Sequence, residues 1–252
     1  MFNNYRYFRL FLITFRFKSF MSFHFPLLFI NIMKFRYRVF LKKDRTVNEE
    51  TELVVEGFPR SANSYLTRAL EISSSIVLSH HTHYSANVIL GIKKRKNIFV
   101  LFRKPEDAVI SSVSLYVQSQ VKTNSYSLDD IKEYDLIRLI SVTLLDYKRY
   151  YSSLKNRNEI NFIRFVDVIK NTPGVIGFIG KKCGIEMNLP EDFDTLIKEK
   201  AIKNGRYHMA PSLERNIIKD KVTELFHNNV NSALLKDSNE LFEDILSSVE
   251  KI

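Results

Sequence analysis

Three short runs hold the residues able to do chemistry. In Phe58-Pro59-Arg60-Ser61-Ala62-Asn63-Ser64-Tyr65 a guanidinium, an amide and two serine hydroxyls flank Ala62, and the small Ser61 and Ala62 let backbone N–H groups approach a bound anion. Where such a loop opens a helix, the unpaired N–H groups and the positive dipole end suit phosphate. The glycines and Lys-Ser/Thr pair of the nucleoside-triphosphate loop GxxxxGK[ST] are missing, and no carboxylate is placed for magnesium. A metal-free anion site is therefore expected, and an ATP-using kinase is the poorer reading. The plain alternative is a polar turn capped by Ser61 or Ser64.

The second run is Arg103-Lys104-Pro105-Glu106-Asp107-Ala108-Val109-Ile110-Ser111. A planar donor fork at a strand end and a hydroxyl two helical turns later can converge on one phosphate. Alternatively, Arg103 pairs with Glu106 or Asp107, and Ser111 is a small residue on a packed face. The third run, Ser79-His80-His81-Thr82-His83-Tyr84-Ser85, carries three of the six histidines. A neutral imidazole titrating near pH 6.5 can take a proton from an attacking hydroxyl. Neighbours at i, i+1 and i+3 seldom converge on a tetrahedral ion, so no metal site is assigned.

These runs need elements to hold them. Leu53 to Phe58 and the apolar Asn97 to Phe102 read as buried strands, and Ile160 to Phe165 as a third. Helices are expected at Ser64 to Ser73, from Pro105 to about Gln118, Leu128 to Leu154, Pro173 to Cys183 before Gly184, Asp192 to Lys203, Leu213 to Asn228 and Ser238 to Glu250. Short strands alternating with helices mean an α/β domain with a mostly parallel central sheet flanked by helices.

The 252 residues, 45% hydrophobic and 26% charged, suffice for one such domain. The division expected is a basic, Phe/Arg-rich extension over 1–50 and the α/β domain over 51–252. Ten Lys/Arg against three acids give the extension +7 of the net +10, and it holds eleven of the twenty phenylalanines. A nucleic-acid field spread over the whole molecule is not indicated, and no specific nucleic-acid partner is expected. The longest uncharged stretch of the extension, Ser19 to Met33, is too short to span a bilayer. The segment 1–45 either lies on an anionic membrane surface, packs as an ordered extension on the domain, or precedes a later start at Met21 or Met33. A single cysteine, Cys183, excludes a disulfide framework and is compatible with a reducing compartment. The expected location is the cytoplasm, with the extension as the one route to a membrane.

Phe58 to Tyr65 resembles the phosphate-binding loop P-[KR]-S-G-T-T of the sulfotransferase family, and more closely a subset with Phe-Pro-Arg-Ser-Ala/Gly-Asn-Thr. Arg103 to Ser111 resembles the family's R-x-P-x-x-x-x-x-S, and Thr82-His83 its Lys-Thr-His segment. The resemblance implies the P-loop NTPase-like sulfotransferase fold, 3′-phosphoadenylyl sulfate as donor and a hydroxyl or amine as acceptor, such as a carbohydrate or small metabolite. It implies that Arg60, Ser61, Ala62, Asn63, Ser64 and Tyr65 hold the 5′-phosphosulfate end and that Arg60 stabilises the leaving phosphate. Arg103 and Ser111 would hold the 3′-phosphate, and His83, with His81 as competitor, would be the general base. The family's C-terminal Arg-Lys-Gly segment has a distant echo at Lys203 to Arg206, which adds Arg206, Ser212 and Arg215 as further candidates. A nonenzymatic nucleotide-binding or membrane-surface protein derived from the same fold is the rival reading.

Overall fold

A computed structural model describes residues 2–41, 46–79, 81–124, 127–193, 195–197, 199, 213–250 and 252. Three strands, β1 Leu53–Gly57, β2 Asn97–Phe102 and β3 Ile160–Arg164, form a parallel sheet in the order β1-β2-β3. Leu53 pairs with Asn97 and Gly57 with Leu101; Ile98 pairs with Ile160 and Phe102 with Arg164. The fold is thus α/β with a parallel sheet flanked by helices, as the alternating pattern predicts. Strands buried on both faces read as unbroken apolar runs.

The period of two splits those runs between two layers. Val54, Ile98 and Val100 face a core built with α4 Ser85–Lys93, α5 Pro105–Asn124 and α6 Glu133–Ser152. Leu53, Val55, Phe99, Leu101 and Ile163 face the other way, against α3 Asn63–Ser73 and α8 Thr172–Cys183, the latter preceded by α7 Phe165–Lys170. The C-terminal α9 Leu213–Asn229 and α10 Ser232–Ser248 return to the first layer, where Val222, Phe226, Leu241 and Ile245 close the core.

Several boundaries move for local reasons. The long helix expected from Leu128 is a 3₁₀ turn, Leu128–Asp130, followed by α6: the Asp130 carboxylate accepts from the Ser127 N–H at 2.7 Å and hydroxyl at 3.0 Å and closes the turn. The last helix starts at Ser232 rather than Ser238, because the Asn231 side chain caps it through the Leu234 N–H at 2.9 Å. The expected helix over Asp192 to Lys203 falls partly outside the described residues.

The extension forms two helices, α1 Phe2–His24 and α2 Pro26–Leu41, parted at Pro26. Phe8 and Leu12 of α1 join the core beside α5 and α6, while Phe29, Ile30 and Met33 of α2 pack on Ala86 of α4. Two acids of α6 meet α1: Ser19 Oγ donates to Asp146 at 2.5 Å and Arg9 lies 3.7 Å from buried Asp135. No helix among the described residues is long and apolar enough to cross a membrane.

Candidate functional site

The site grows from the carboxyl ends of β1 and β2. Tyrosines of α6 hold the end of β2, Tyr151 OH donating to Leu101 O at 2.8 Å and Tyr147 OH to Arg103 O at 2.7 Å, and Tyr151 OH also accepts from Phe58 N at 3.4 Å just past β1. Phe58 stacks edge-on to Tyr147, with ring centroids 5.2 Å apart. Gly57 lies where a Cβ would come within 2.6 Å of both Asn63 Oδ1 and the Leu101 carbonyl, so β1 and β2 can approach closely at the point where the chain turns into the loop.

The turn then uses left-handed backbone at Arg60 (φ 69°) and Ala62 (φ 68°). Ala62 immediately precedes α3, and this is the position at which the resembled motif has glycine. The Asn63 side chain reaches back, its Nδ2 donating to the carbonyls of Gly57 and Phe58, each at 3.1 Å. Ser112 Oγ on α5 donates to Pro59 O at 3.2 Å. The loop is therefore held from inside and from the neighbouring helix, with the positive end of α3 beneath it.

The two arginine motifs meet here. Arg60 Nε donates to Ser111 Oγ at 3.0 Å, and Arg103 Nη1 donates to Arg60 O at 3.2 Å. The Arg103 guanidinium covers the Phe165 ring at 4.3 Å and sits 3.8 Å from Asp107, so the expected pairing with Asp107 and the placement beside the loop both occur. Arg215 of α9 donates to Gln118 at 2.9 Å and stands close enough to Arg60 to repel it. Burial, Arg215 and Arg103 together lower the pKa of Arg60, and burial lowers that of Arg103. Two guanidinium groups, Arg60 and Arg103, thus meet at the loop, with the Asp107 carboxylate at the edge. Arg206 and Ser212 lie outside the described residues.

The histidine run arrives along the sheet edge. Residues 77–79 add a short parallel bridge beside β1, with Leu53 N donating to Val77 O and Ser79 N to Leu53 O. Parallel pairing sends the chain to the same carboxyl end as β1, which lays His81 to His83 against the loop. Glu56 holds that segment from within β1. Its fully buried carboxyl accepts from Thr82 N (2.7 Å), Thr82 Oγ1 (2.9 Å), His83 N (3.1 Å) and Asn87 Nδ2 of α4 (2.9 Å).

His83 adopts left-handed backbone (φ 64°), and its Nδ1 lies 3.1 Å from Gly57 O and 3.3 Å from Asn63 Nδ2. Both Asn63 amide protons already go to carbonyls, so His83 Nδ1 donates to Gly57 O and the lone pair falls on Nε2. His81 Nε2 lies 3.0 Å from Ser64 Oγ, its Nδ1 is buried, and its ring stacks at 4.9 Å on that of His83. His80 is outside the described residues. Ser61 is buried in the loop, whereas the Tyr65 hydroxyl turns to Thr172 of α8 at 3.1 Å.

Sequence reasoning missed Glu56, Asn87 and the α6 tyrosines. Glu56 leaves a signal, since an acid inside an apolar strand buried on both faces needs dedicated donors. Burial pushes its carboxyl up to about 7, with the four donated hydrogen bonds pulling the other way. A carboxyl with a raised folded pKa stabilises fully below its ordinary value and loses that contribution as pH rises through about 7. Unfolding free energy from urea titrations is expected to fall by roughly 3 kcal/mol between about pH 4.5 and about pH 7 from this group. Glu56→Gln should reduce that slope and leave the part due to Asp146, whose carboxyl burial pushes up to about 6; an unchanged slope would place the titration elsewhere.

The fold is similar to that of mouse sulfotransferase SULT7A1 complexed with PAP, at 13% identity over 80% of this chain and 86% of that chain, with a TM-score of 0.47. No family model and no curated protein matches the chain.

Proposed function

We propose that this protein is a sulfotransferase that moves a sulfuryl group from 3′-phosphoadenylyl sulfate to a hydroxyl or amine. The observation that carries the reading is the junction of the two resembled motifs: Arg60, Arg103 and Ser111, apart in sequence, share hydrogen bonds at the positive end of α3. Two adjoining guanidinium groups at a helix N-terminus suit a ligand with more than one phosphate.

In this reading the loop N–H groups and Arg60 bind the phosphosulfate end, and Arg103 and Ser111 bind the 3′-phosphate. His83 Nε2 removes the acceptor proton as its oxygen or nitrogen forms the new bond to sulfur. The bond from sulfur to the bridging oxygen breaks, the electron pair stays on the departing phosphate, and Arg60 stabilises that charge. The proton ends on His83. His83 is the better base of the two histidines because the other nitrogen of His81 is buried. Charge neutralisation comes from guanidinium groups in this scheme, with no step assigned to a metal. The location follows the same reading: a cytoplasmic enzyme that uses a soluble nucleotide donor.

Titration calorimetry with adenosine 3′,5′-bisphosphate tests the donor site. Binding should exceed that of adenosine 5′-monophosphate and of magnesium-ATP, and Arg103→Ala should weaken it by about tenfold or more, the scale of one charge-assisted contact. Bisphosphate binding without transfer to any acceptor would select the nonenzymatic reading. No preference for the bisphosphate would overturn both.

A further inference from the structure

Each helix of the extension is apolar on two sides. One side is buried: Phe8, Leu12, Phe29, Ile30 and Met33 belong to the cores. The other carries a second stripe at helical spacing that nothing among the described residues covers. On α1 it runs through Leu10, Ile13, Phe17 and Phe20, and on α2 through Leu28, Ile32, Phe35 and Val39. Phe17 is 63% exposed and Phe35 69%, values that a water-facing helix surface does not call for. Of the exposed large hydrophobic side chains, most lie on these two helices.

Cations are interleaved with the stripes. Residues 1–43 contain nine Lys/Arg and no acid. Arg16 and Arg36 flank the exposed phenylalanines in sequence, and burial, with Arg36 nearby, lowers the Lys18 pKa. Lys18 and Arg36 line a cavity of about 470 Å³ with Met33, Tyr37, Phe40 and the edge of the histidine segment at Thr82 and Tyr84, and no acid lines it.

We infer that the outer face of α1 and α2 docks in the plane of an anionic lipid bilayer. Arginine stems extend along apolar surface while their heads reach phosphate, and phenylalanines enter the acyl boundary. Charge argues against a second copy as the occupant, because residues 1–43 carry nine cations and no acid, so two copies of this segment bear charge of the same sign. Neither helix is long and apolar enough to cross, so the mode is lying on the surface. The inner stripes already order both helices, and docking adds little conformational cost. The proposal is independent of the sulfotransferase reading.

The test is cosedimentation of the full chain with vesicles of phosphatidylcholine alone or mixed with phosphatidylserine, beside analytical ultracentrifugation without lipid. Binding should require phosphatidylserine and weaken with salt. Arg16→Gln and Arg36→Gln should each weaken it by about fivefold, and Phe17→Ser with Phe35→Ser by about tenfold or more, with the thermal melt retained. Absent or lipid-independent binding would overturn the proposal, as would binding indifferent to these substitutions. A dimer that the phenylalanine variant dissolves, in a chain that ignores vesicles, would assign the face to a second copy instead.

Discussion

His83→Asn is expected to reduce sulfuryl transfer by about 10² to 10⁴-fold with adenosine 3′,5′-bisphosphate affinity unchanged, the scale of a lost general base. Asparagine is the informative replacement because, like histidine, it tolerates the left-handed backbone at φ 64°. The backbone N–H that Glu56 holds is also kept, so the segment should stay in place. In the proposed scheme Nε2 carries the lone pair that takes the acceptor proton, and the variant has no such group. His81→Asn should cost less, since its Nε2 engages Ser64. A variant that keeps full turnover would move the base elsewhere.

Strand and loop assignments were legible where one local force dominates. Leu53 to Phe58 and Asn97 to Phe102 are runs that only burial on both faces explains, and Gly184 ends α8 in the left-handed conformation that glycine permits. The pairing of the two arginine motifs was readable only through resemblance. Composition and spacing alone allowed Arg103 to serve as a surface partner for Asp107, and in the structure it does that as well.

What was not legible depends on contacts between distant segments. Glu56 meets Thr82, His83 and Asn87 only because residues 77–79 bridge to β1, and a two-residue bridge has no periodicity to read. Tyr147 and Tyr151 look like ordinary apolar positions of an amphipathic helix; their hydroxyls find Arg103 O and Leu101 O through the packing of α6 under the sheet. The extension was ambiguous for a related reason. Apolar residues on two sides of α1 and α2 give no single face, so sequence could not choose which side is buried, and the choice falls to Phe8, Leu12, Phe29 and Ile30.

Arg60→Ala is expected to lower turnover by about 10² to 10³-fold, the loss that follows removal of one donor to a developing anion. The same substitution should leave the ligand-free protein at least as stable as the parent. Arg60 is partly buried beside Arg103 and Arg215, and its lowered pKa means that the folded state disfavours its charge. Removing it relieves that repulsion and forfeits one hydrogen bond to Ser111, worth about 1 kcal/mol. Adenosine 3′,5′-bisphosphate should raise the wild-type melting temperature through mass action and raise that of Arg60→Ala less. A cation cluster kept at a cost to the empty fold is what a polyanion site requires, so the opposite signs separate this role from a structural one. A structural arginine would lower stability and activity together when removed, and that result would end the assignment.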